Sequence, residues 1–390
     1  MKFISIFCLM FILCNTVHAQ NTIIASILNE VNIDSLVIFT EKISGERAVI
    51  VDGNTQIIQS RQHQKIGNEL AYKFLRNELI RYGYQIDSLR FSPTGKNLFA
   101  IKEGTLFPEY WVILGAHYDN LPLATVAPGA DDNASGCAAI LEAGRILQNH
   151  EFPYTIVFAL WDEEELGLVG SSAYIPKIGS KQEKLIGYIN LDMIGWDGNN
   201  DSIIDIHVRA INHSEALKNK AILANQQYTI GLELNIVNPG TYNSDQMPFW
   251  NGGFSAIAIN ENEINDLNPN IHKVTDKLEH FNLSYFLKST KLAIATLLEL
   301  AMDTEYDYGF TDNSNPIQIY PNPWKDKITI RMDTKEKIKS IAISDENGKK
   351  VFNDQFDSRK INLQLELNHG IYFVTVVTDS NTYKKRIVKY

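Results

Sequence analysis

The chain has 390 residues, of which 44% are hydrophobic and 21% are charged, and its formal net charge at pH 7 is −10. A chain of this length is too long for one ordinary domain, and its composition is that of a globular protein with a sizeable core. The negative charge argues against a nucleic acid or an anionic membrane as the partner.

The first twenty residues have a composition unlike the rest of the chain. Lys2 precedes an apolar run from Phe3 to Cys14, and the cleavage-site segment Val17-His18-Ala19 precedes Gln20. This is the pattern of a secretory signal peptide, so we expect residues 1–19 to be removed and the mature protein to be exported. The apolar run is too short to span a bilayer, and we predict no membrane span in the mature chain.

Signal cleavage also removes two of the three cysteines, Cys8 and Cys14. Cys137 then has no partner, so no intramolecular disulfide is predicted. Because Cys137 lies in the apolar stretch GCAAILEAGRIL, we expect a buried structural thiol rather than a nucleophile.

Residues 20–305 have the pattern of an α/β domain. Residues 67–84 carry apolar side chains at helical spacing, and the short apolar runs YWVILGAHYD, YTIVFALWDEEE and IGYINLDMIG each end in acids or histidine. Apolar strands separated by helices predict a mixed, mostly parallel sheet flanked by helices. Such sheets bind ligands at the carboxyl ends of their strands, which is where these polar residues lie.

The composition changes at a polar stretch that we interpret as a linker, residues 306–316. Residues 317–390 carry 14 Lys or Arg against 9 Asp or Glu, so the tail is basic while the rest of the mature chain is acidic. Apolar and polar residues alternate in the tail, and Asn347-Gly348 is a strong hairpin signal. We therefore predict a small antiparallel β-sandwich domain at 317–390.

Five residues at the strand ends and in nearby loops form a candidate metal site. All are imidazoles or carboxylates, without a thiol: His117, Asp132, Glu165, Asp192 and His272. Such ligands suit a catalytic zinc site with open positions better than a closed structural one. Three carboxylates and one hydroxide balance two divalent ions, so charge balance favours two metals, which would also neutralise the acid run at 162–165.

The motifs around these residues resemble those of the M28 family of zinc aminopeptidases. GAHYDN, PGADDNASG, DEEELGLVGS, NLDMIG and a late histidine occur in the family's order. The resemblance implies the zinc exopeptidase fold for residues 20–305 and two Zn(2+) ions per subunit. It implies a secreted enzyme that hydrolyses N-terminal residues from peptides with a free N-terminus.

The resemblance also implies a role for each candidate residue. One zinc would be held by His117 and Asp192, the other by Glu165 and His272, and Asp132 would bridge the two.

A second set of residues would act on the metal-activated water and the substrate. By resemblance, Glu164 would be the general base and Asp119 would orient the imidazole of His117. Tyr242 lies where the family often carries a substrate-contacting residue. The same stretch has Gln246 where the family pattern has histidine, which makes the substrate pocket the least determined part of the site.

Three further acids near these motifs have no implied catalytic role. We expect Asp131 to be solvated or to lie behind the metal ligands. We expect Asp162 and Glu163 to stabilise the turn after the strand or to face water.

The tail resembles the sorting domain of cargo of the type IX secretion system. The matching pieces are YPNPWKDKITI, DENGKKVF, NHGIYFVTVV and the closing KKRIVKY. This implies passage through the periplasm, the type IX machinery as a partner, and a secreted or cell-surface location. The alternative is a β-sandwich accessory module that binds carbohydrate or protein.

Other functions remain open on the same pattern. Glutaminyl-peptide cyclotransferase activity uses this architecture with one zinc, and dipeptidase or carboxypeptidase activity occurs on related folds. A non-catalytic secreted binding module is the alternative from a different class. The five-ligand set argues against the cyclotransferase, and the presence of Glu164 argues against a binding module.

Overall fold

The computed structural model describes residues 22–123, 126–179, 184–241, 244–303, 317–320, 324–332, 334–345 and 348–389. The chain divides into two compact units, residues 1–303 and 304–390. The predicted signal peptide, the 306–316 linker and Tyr242 lie outside the described residues. The boundaries predicted from the sequence at 19/20 and 306–316 therefore stay predictions.

The first unit contains a large mixed sheet. The strands of this unit are β1 (Val49–Val51), β2 (Asn54–Gln56), β3 (Gln85–Arg90), β4 (Lys96–Lys102), β5 (Phe107–His117), β6 (Tyr154–Trp161), β7 (Leu185–Asp192), β8 (Ile203–His207), β9 (Glu233–Val237) and β10 (Ala256–Glu261). The main sheet has the order β3-β4-β6-β5-β7-β10-β8-β9, while β1 pairs with β2. The neighbours β6-β5-β7-β10 and β8-β9 are parallel, and the other pairs are antiparallel. The predicted mixed, mostly parallel sheet is confirmed.

Helices flank this sheet. They are α1 (Thr22–Leu28), α2 (Ile33–Ser44), α3 (Ile66–Arg81), α4 (Gly136–Leu147), α5 (Val169–Ile178), α6 (Ser214–Gln227), α7 (Gln246–Asn251), α8 (Glu263–Asp266) and α9 (Leu283–Ala301), with a π-helical turn at Ala130–Ser135 and a 3-10 turn at Leu278–His280. Across the described residues, no single helix is long and apolar enough to cross a membrane. The helices α1 and α2, which are bent by 55° relative to each other, together meet the criteria of length and composition, and only those criteria.

Two of the central strands, β6 and β7, are buried along their whole length. Every residue of β6 and β7 is buried, as expected for strands covered by helices on both faces. On one face Trp161, Tyr188 and Phe249 pack together, and Trp161 Nε1 donates to Tyr188 Oη at 2.8 Å. A Cβ at Gly115 would lie 2.8 Å from both Trp161 Nε1 and Tyr188 Cε2. Glycine there lets the rings close against the sheet, which gives the strand ends a rigid base.

The second unit is an antiparallel β structure. Its strands are β11 (Ile317–Tyr320), β12 (Lys327–Met332), β13 (Ile338–Asp345), β14 (Lys350–Ser358), β15 (Lys360–Gln364), β16 (Gly370–Val377) and β17 (Thr382–Lys389). They form two sheets, β11-β12-β15 and β14-β13-β16-β17. Alternate residues of both sheets, including Ile328, Ile330, Ile341 and Val374, enclose one core. The β-sandwich predicted from the alternating pattern is confirmed.

Candidate metal centre

The chemistry-bearing residues collect where the central parallel strands end. His117 is the last residue of β5, Asp192 is the last residue of β7, and Glu164 and Glu165 follow the end of β6. His117 pairs with Trp161 in the register of β5 and β6. Parallel strands that are aligned in this way end at one edge of the sheet, so the three segments meet there.

The five predicted ligands form two groups that share Asp132. His117 Nε2 lies 3.2 Å from Asp192 Oδ1 and 3.4 Å from Asp132 Oδ1. His272 Nε2 lies 3.1 Å from Asp132 Oδ2 and 3.1 Å from Glu165 Oε2. Within each group the ligand atoms lie within 4.8 Å of one another. Each oxygen of Asp132 therefore faces a different group.

These residues fit divalent cations. Imidazole nitrogens and carboxylate oxygens are donors for zinc and similar metals, and the Oε1 atom of Glu165 is buried without a hydrogen-bond partner among the described residues. Burial raises the pKa of Glu165 to about 7, and the charge of Asp132 adds to this rise. Several buried carboxylates close together need cations to balance their charge.

The loop that carries Asp132 is held by another acid, Asp276. The carboxylate of Asp276 accepts hydrogen bonds from the backbone N–H groups of Asp131 at 3.0 Å and Asp132 at 3.1 Å. Asp276 is itself 1% exposed. Burial raises the pKa of Asp276 to about 8, and the charge of Asp131 is the second largest cause of this rise. Asp276 was not predicted from the sequence, although its position four residues after His272 was an available signal.

A buried arginine anchors the same loop. Arg61 is 1% exposed. Its guanidinium donates to five backbone carbonyls, those of Tyr118, Ile43, Pro128, Gly129 and Asp132. Burial lowers the pKa of Arg61, and the charges of Asp132, Asp276 and Asp119 oppose that shift. Arg61 therefore supplies one buried positive charge next to the acidic site and fixes the backbone around Asp132.

Asp119 holds the two adjacent glutamates. Its Oδ1 accepts from the backbone N–H of Glu164 at 3.1 Å, and its Oδ2 accepts from that of Glu165 at 3.2 Å. Asp119 Oδ1 also lies 3.5 Å from His117 Nδ1. The resemblance implied only the contact with His117. The structure adds a positioning role, since one carboxylate orients the backbone of both glutamates.

Glu164 and Glu165 face different surroundings. Glu165 belongs to a metal-binding group, while Glu164 belongs to neither group. Burial raises the pKa of Glu164 well above its ordinary value; His117 opposes the rise, and the charge of Asp245 adds to it. Glu163 has a positive φ of 57°. This conformation is uncommon outside glycine and turns the chain so that successive acids point to different partners.

The first two acids of the run stabilise the turn. Asp162 accepts from Asn68 Nδ2 at 2.7 Å and from the backbone N–H of Lys96 at 3.1 Å. Glu163 Oε1 lies 2.8 Å from Nδ1 of His63. Both acids are buried, at 1% and 5% exposure. Of the two alternatives expected for them, they therefore stabilise the turn and do not face water.

Asp131 is not solvated, so that part of the expectation is wrong. It is 0% exposed, and its carboxylate accepts from the backbone N–H of Gly195 at 2.8 Å and from Asn268 Nδ2 at 2.9 Å. These contacts tie the Asp132 loop to the segment after β7 and to the loop that carries His272. Asp131 lies behind the predicted metal ligands, which was the other expected alternative.

Gln246 is part of a buried hydrogen-bond network. Asn190 Nδ2 donates to Gln246 Oε1 at 3.0 Å and to Ser244 Oγ at 2.8 Å. Gln246 Nε2 donates to the carbonyl of Thr241 at 3.3 Å, and Tyr188 Oη donates to Asn190 Oδ1 at 2.5 Å. The amide therefore serves as both acceptor and donor between the sheet and this loop. Gln246, at the position where the family pattern has histidine, was the signal in the sequence that this region differs from the family pattern.

Solved structures share the fold of the first unit. The LapA aminopeptidase of Legionella pneumophila superposes with a TM-score of 0.62 at 22% identity, over 73% of this chain and 76% of that one. A glutaminyl cyclase of Bacteroides thetaiotaomicron superposes with a TM-score of 0.55 at 17% identity, over 70% of this chain and 99% of that one. At these identities the likeness shows the fold alone.

Sequence comparison identifies the family. Residues 97–297, just over half of the chain, match the model of peptidase family M28. Leucine aminopeptidase 1 of Trichophyton equinum is 30% identical over 234 residues, which cover 57% of this chain and 62% of that protein. The chain spans between 54% and 62% of the length of the curated relatives it matches. The chain belongs to peptidase family M28.

The tail belongs to a second family. Residues 318–390 match the model of a secretion system C-terminal sorting domain, which confirms the sorting domain that the sequence motifs indicated. A domain of this kind implies export, to the medium or to the cell surface.

Proposed function

We propose that the first unit is an aminopeptidase that works with two zinc ions. One ion would be held by His117 and Asp192, the other by Glu165 and His272, and both by Asp132. The observation that carries this proposal is the position of Asp132, whose two oxygens face two separate ligand groups at 3.4 Å and 3.1 Å from the nearest imidazole nitrogens. A carboxylate shared between two ligand groups would allow two metal ions to lie close together, as they do in two-metal sites.

The chain's own residues would perform the proton transfers. When bound, two zinc ions lower the pKa of a water molecule and polarise the scissile carbonyl. Glu164 would take the proton from that water and deliver it to the leaving amine. Its side chain is free for this because Glu164 is outside both ligand groups. The hydrogen bond from its backbone N–H to Asp119 would hold it in place.

Exposed apolar side chains around the site support a peptide as the substrate. Leu123 is 73% exposed, Leu166 47% and Val274 51%. Leu166 follows Glu165 directly, Val274 lies two residues after His272, and the backbone N–H of Leu123 donates to the carbonyl of His272 at 2.9 Å. Apolar side chains on the loops that carry the ligands suit a peptide chain that extends away from the metals.

The principal alternative on this fold is a one-metal glutaminyl cyclase. The two ligand groups that share Asp132 favour two metals over one. Dipeptidase and carboxypeptidase activities, on related folds, differ from an aminopeptidase in which ends of the substrate are recognised. A non-catalytic binding module would have no use for the support that Asp119 gives to Glu164.

We also propose a route of export. Residues 1–19 would be removed as a signal peptide, and the tail at 317–390 would then direct the protein from the periplasm to the type IX secretion machinery. The catalytic domain would comprise residues 20–305, joined to the tail by residues 306–316.

Hydrolysis of matched substrate pairs tests the proposed activity. The purified chain is assayed with aminoacyl-p-nitroanilides and with their N-acetylated forms, with and without 1,10-phenanthroline. We expect release of p-nitroaniline from the free amines only, its loss with the chelator and its recovery when zinc is added. Equal hydrolysis of the blocked forms, or activity that survives metal removal, would contradict the proposal. Cyclisation of a glutaminyl peptide without hydrolysis would favour the cyclase.

A further inference from the structure

A row of polar side chains crosses the sheet away from the metal centre. Asn260 of β10 is the register partner of Asp192 in β7 and of Asp205 in β8. Asn235 of β9 continues the row, and its Nδ2 donates to Asp205 Oδ1 at 2.8 Å. Register partners project from the same face of a sheet. Since strands lie about 4.8 Å apart, Asp205 lies roughly 10 Å from Asp192.

Polar atoms in and beside this row lack partners. Asp205 Oδ2, Asn260 Oδ1 and His207 Nε2 are buried and have no hydrogen-bond partner among the described residues. Their side chains belong to residues that are 0%, 5% and 2% exposed. His207 lies two residues after Asp205 and so on the same face, with Nε2 at 3.9 Å from Asp205 Oδ2. Buried polar groups are almost always hydrogen-bonded, so the two unpaired oxygens, Asp205 Oδ2 and Asn260 Oδ1, indicate that a ligand with N–H donors completes this face.

The charge of this region is negative. The backbone N–H of Thr241 donates to His207 Nδ1 at 3.2 Å, so the proton of the neutral ring is on Nε2. Burial lowers the pKa of His207 to about 4, which keeps the ring uncharged. Glu263, at the start of α8, is partly exposed. Burial raises its pKa to about 7, and the charges of Asp192 and Asp205 add to the rise.

Neither Asp205 nor Glu263 has a cationic side chain as its partner in the described part of the chain. The one ion pair recorded there for Asp205 is the 3.9 Å contact with His207. Arg209 lies further along the same chain, but its Nε and Nη2 atoms donate to the carbonyl of Gly240. The carboxylate of Asp205 accepts from Asn235 Nδ2 and from the backbone N–H of Glu263, but no cation balances the charge of Asp205 or Glu263 in the described part of the chain.

We propose that this row is the pocket for the side chain of the substrate's first residue and that it selects lysine or arginine. The proposal rests on the aminopeptidase activity proposed above. An ammonium or guanidinium group carries several N–H donors and no acceptor, which matches Asp205 Oδ2, Asn260 Oδ1 and the carboxylate of Glu263. A leucine side chain would leave those oxygens buried and unpaired, and sites built for hydrogen bonding reject such analogues strongly.

Substrate preference and ligand binding together test the pocket. We expect kcat/KM of the full chain for lysyl- and arginyl-p-nitroanilide to exceed that for leucyl-p-nitroanilide by at least about 10²-fold. Asp205→Asn should lower the ratio of the lysyl to the leucyl value by about 10²-fold, and circular dichroism of the variant reports on folding. Asp201→Asn, at an exposed acid just before β8, is the matched control and should change neither value.

Binding separates this proposal from the activity on which it rests. Calorimetry with free L-lysine and L-leucine is carried out on the wild type and on Asp205→Asn. Lysine binding that is weakened by Asp205→Asn supports the pocket, even if no substrate is hydrolysed. Absence of hydrolysis together with such binding overturns the proposed aminopeptidase activity and leaves the pocket standing. Equal preference for leucine and lysine, or lysine binding unaffected by Asp205→Asn and Glu263→Gln, overturns the pocket.

Discussion

Glu164→Gln is expected to lower the turnover of free-amine substrates by about 10²- to 10⁴-fold, the usual contribution of a general base. The substitution keeps the size of the side chain and its backbone hydrogen bond to Asp119, but the amide cannot accept the proton of the attacking water. Since Glu164 is outside both ligand groups, the metal content should stay that of the wild type. Activity and metal content are measured on the same preparation.

The neighbouring acid gives a matched control for Glu164. Glu163→Gln changes the same chemical group one residue earlier, where the carboxylate pairs with His63 at 2.8 Å. This variant should keep nearly full activity. Metal loss in Glu164→Gln, or an equal loss of activity in Glu163→Gln, would show that the roles of the adjacent acids have been wrongly divided.

Arg61→Met should destabilise the first unit by roughly 3 kcal/mol or more. Arg61 is 1% exposed and its guanidinium donates to five backbone carbonyls, of which that of Gly129 also accepts from the backbone N–H of Ala134. Methionine would remove the arginine donor from the other four, and each buried unsatisfied group costs about 1–3 kcal/mol. The loss of a buried cation next to Asp132 and Asp276 would add to this effect. We expect a lower midpoint of thermal unfolding, followed by tryptophan fluorescence, and weaker metal binding.

An exposed arginine provides the control for Arg61→Met. Arg47 pairs with Glu41, and the side chain of Arg47 is 51% exposed. Because such surface pairs contribute about 0–1 kcal/mol, Arg47→Met should leave the unfolding midpoint nearly unchanged. If Arg61→Met unfolded at the same temperature as this control, the anchoring role of Arg61 would be refuted.

The sequence predicted those parts of the site that are encoded locally. His117, Asp192 and the acids at 162–165 directly follow apolar strands, so their motif positions and their places in the sheet could be inferred together. Asp132 and His272 depended on the motif resemblance, because both lie in loops whose course a hydrophobic pattern does not determine. The tail was predicted from its alternation of apolar and polar residues, which is the period of a β-strand.

The residues that support the site could not be predicted in the same way. Arg61 lies in a polar stretch, and its contacts at the site are 57 to 71 residues away. The part of the polar row from Asp192 to Asp205 depends on the order β7-β10-β8, in which β10 lies between two strands that precede it in the chain. Neither arrangement leaves a periodic signal, because each depends on which distant segments the fold brings together.

The number of metal ions per chain tests the central claim most directly. Metal is measured by mass spectrometry on fully active protein after dialysis, together with Asp132→Asn. Because Asp132 faces both ligand groups, the account predicts about two ions per chain and the loss of both in the variant. One ion per fully active chain, or a variant that keeps both ions, would contradict it.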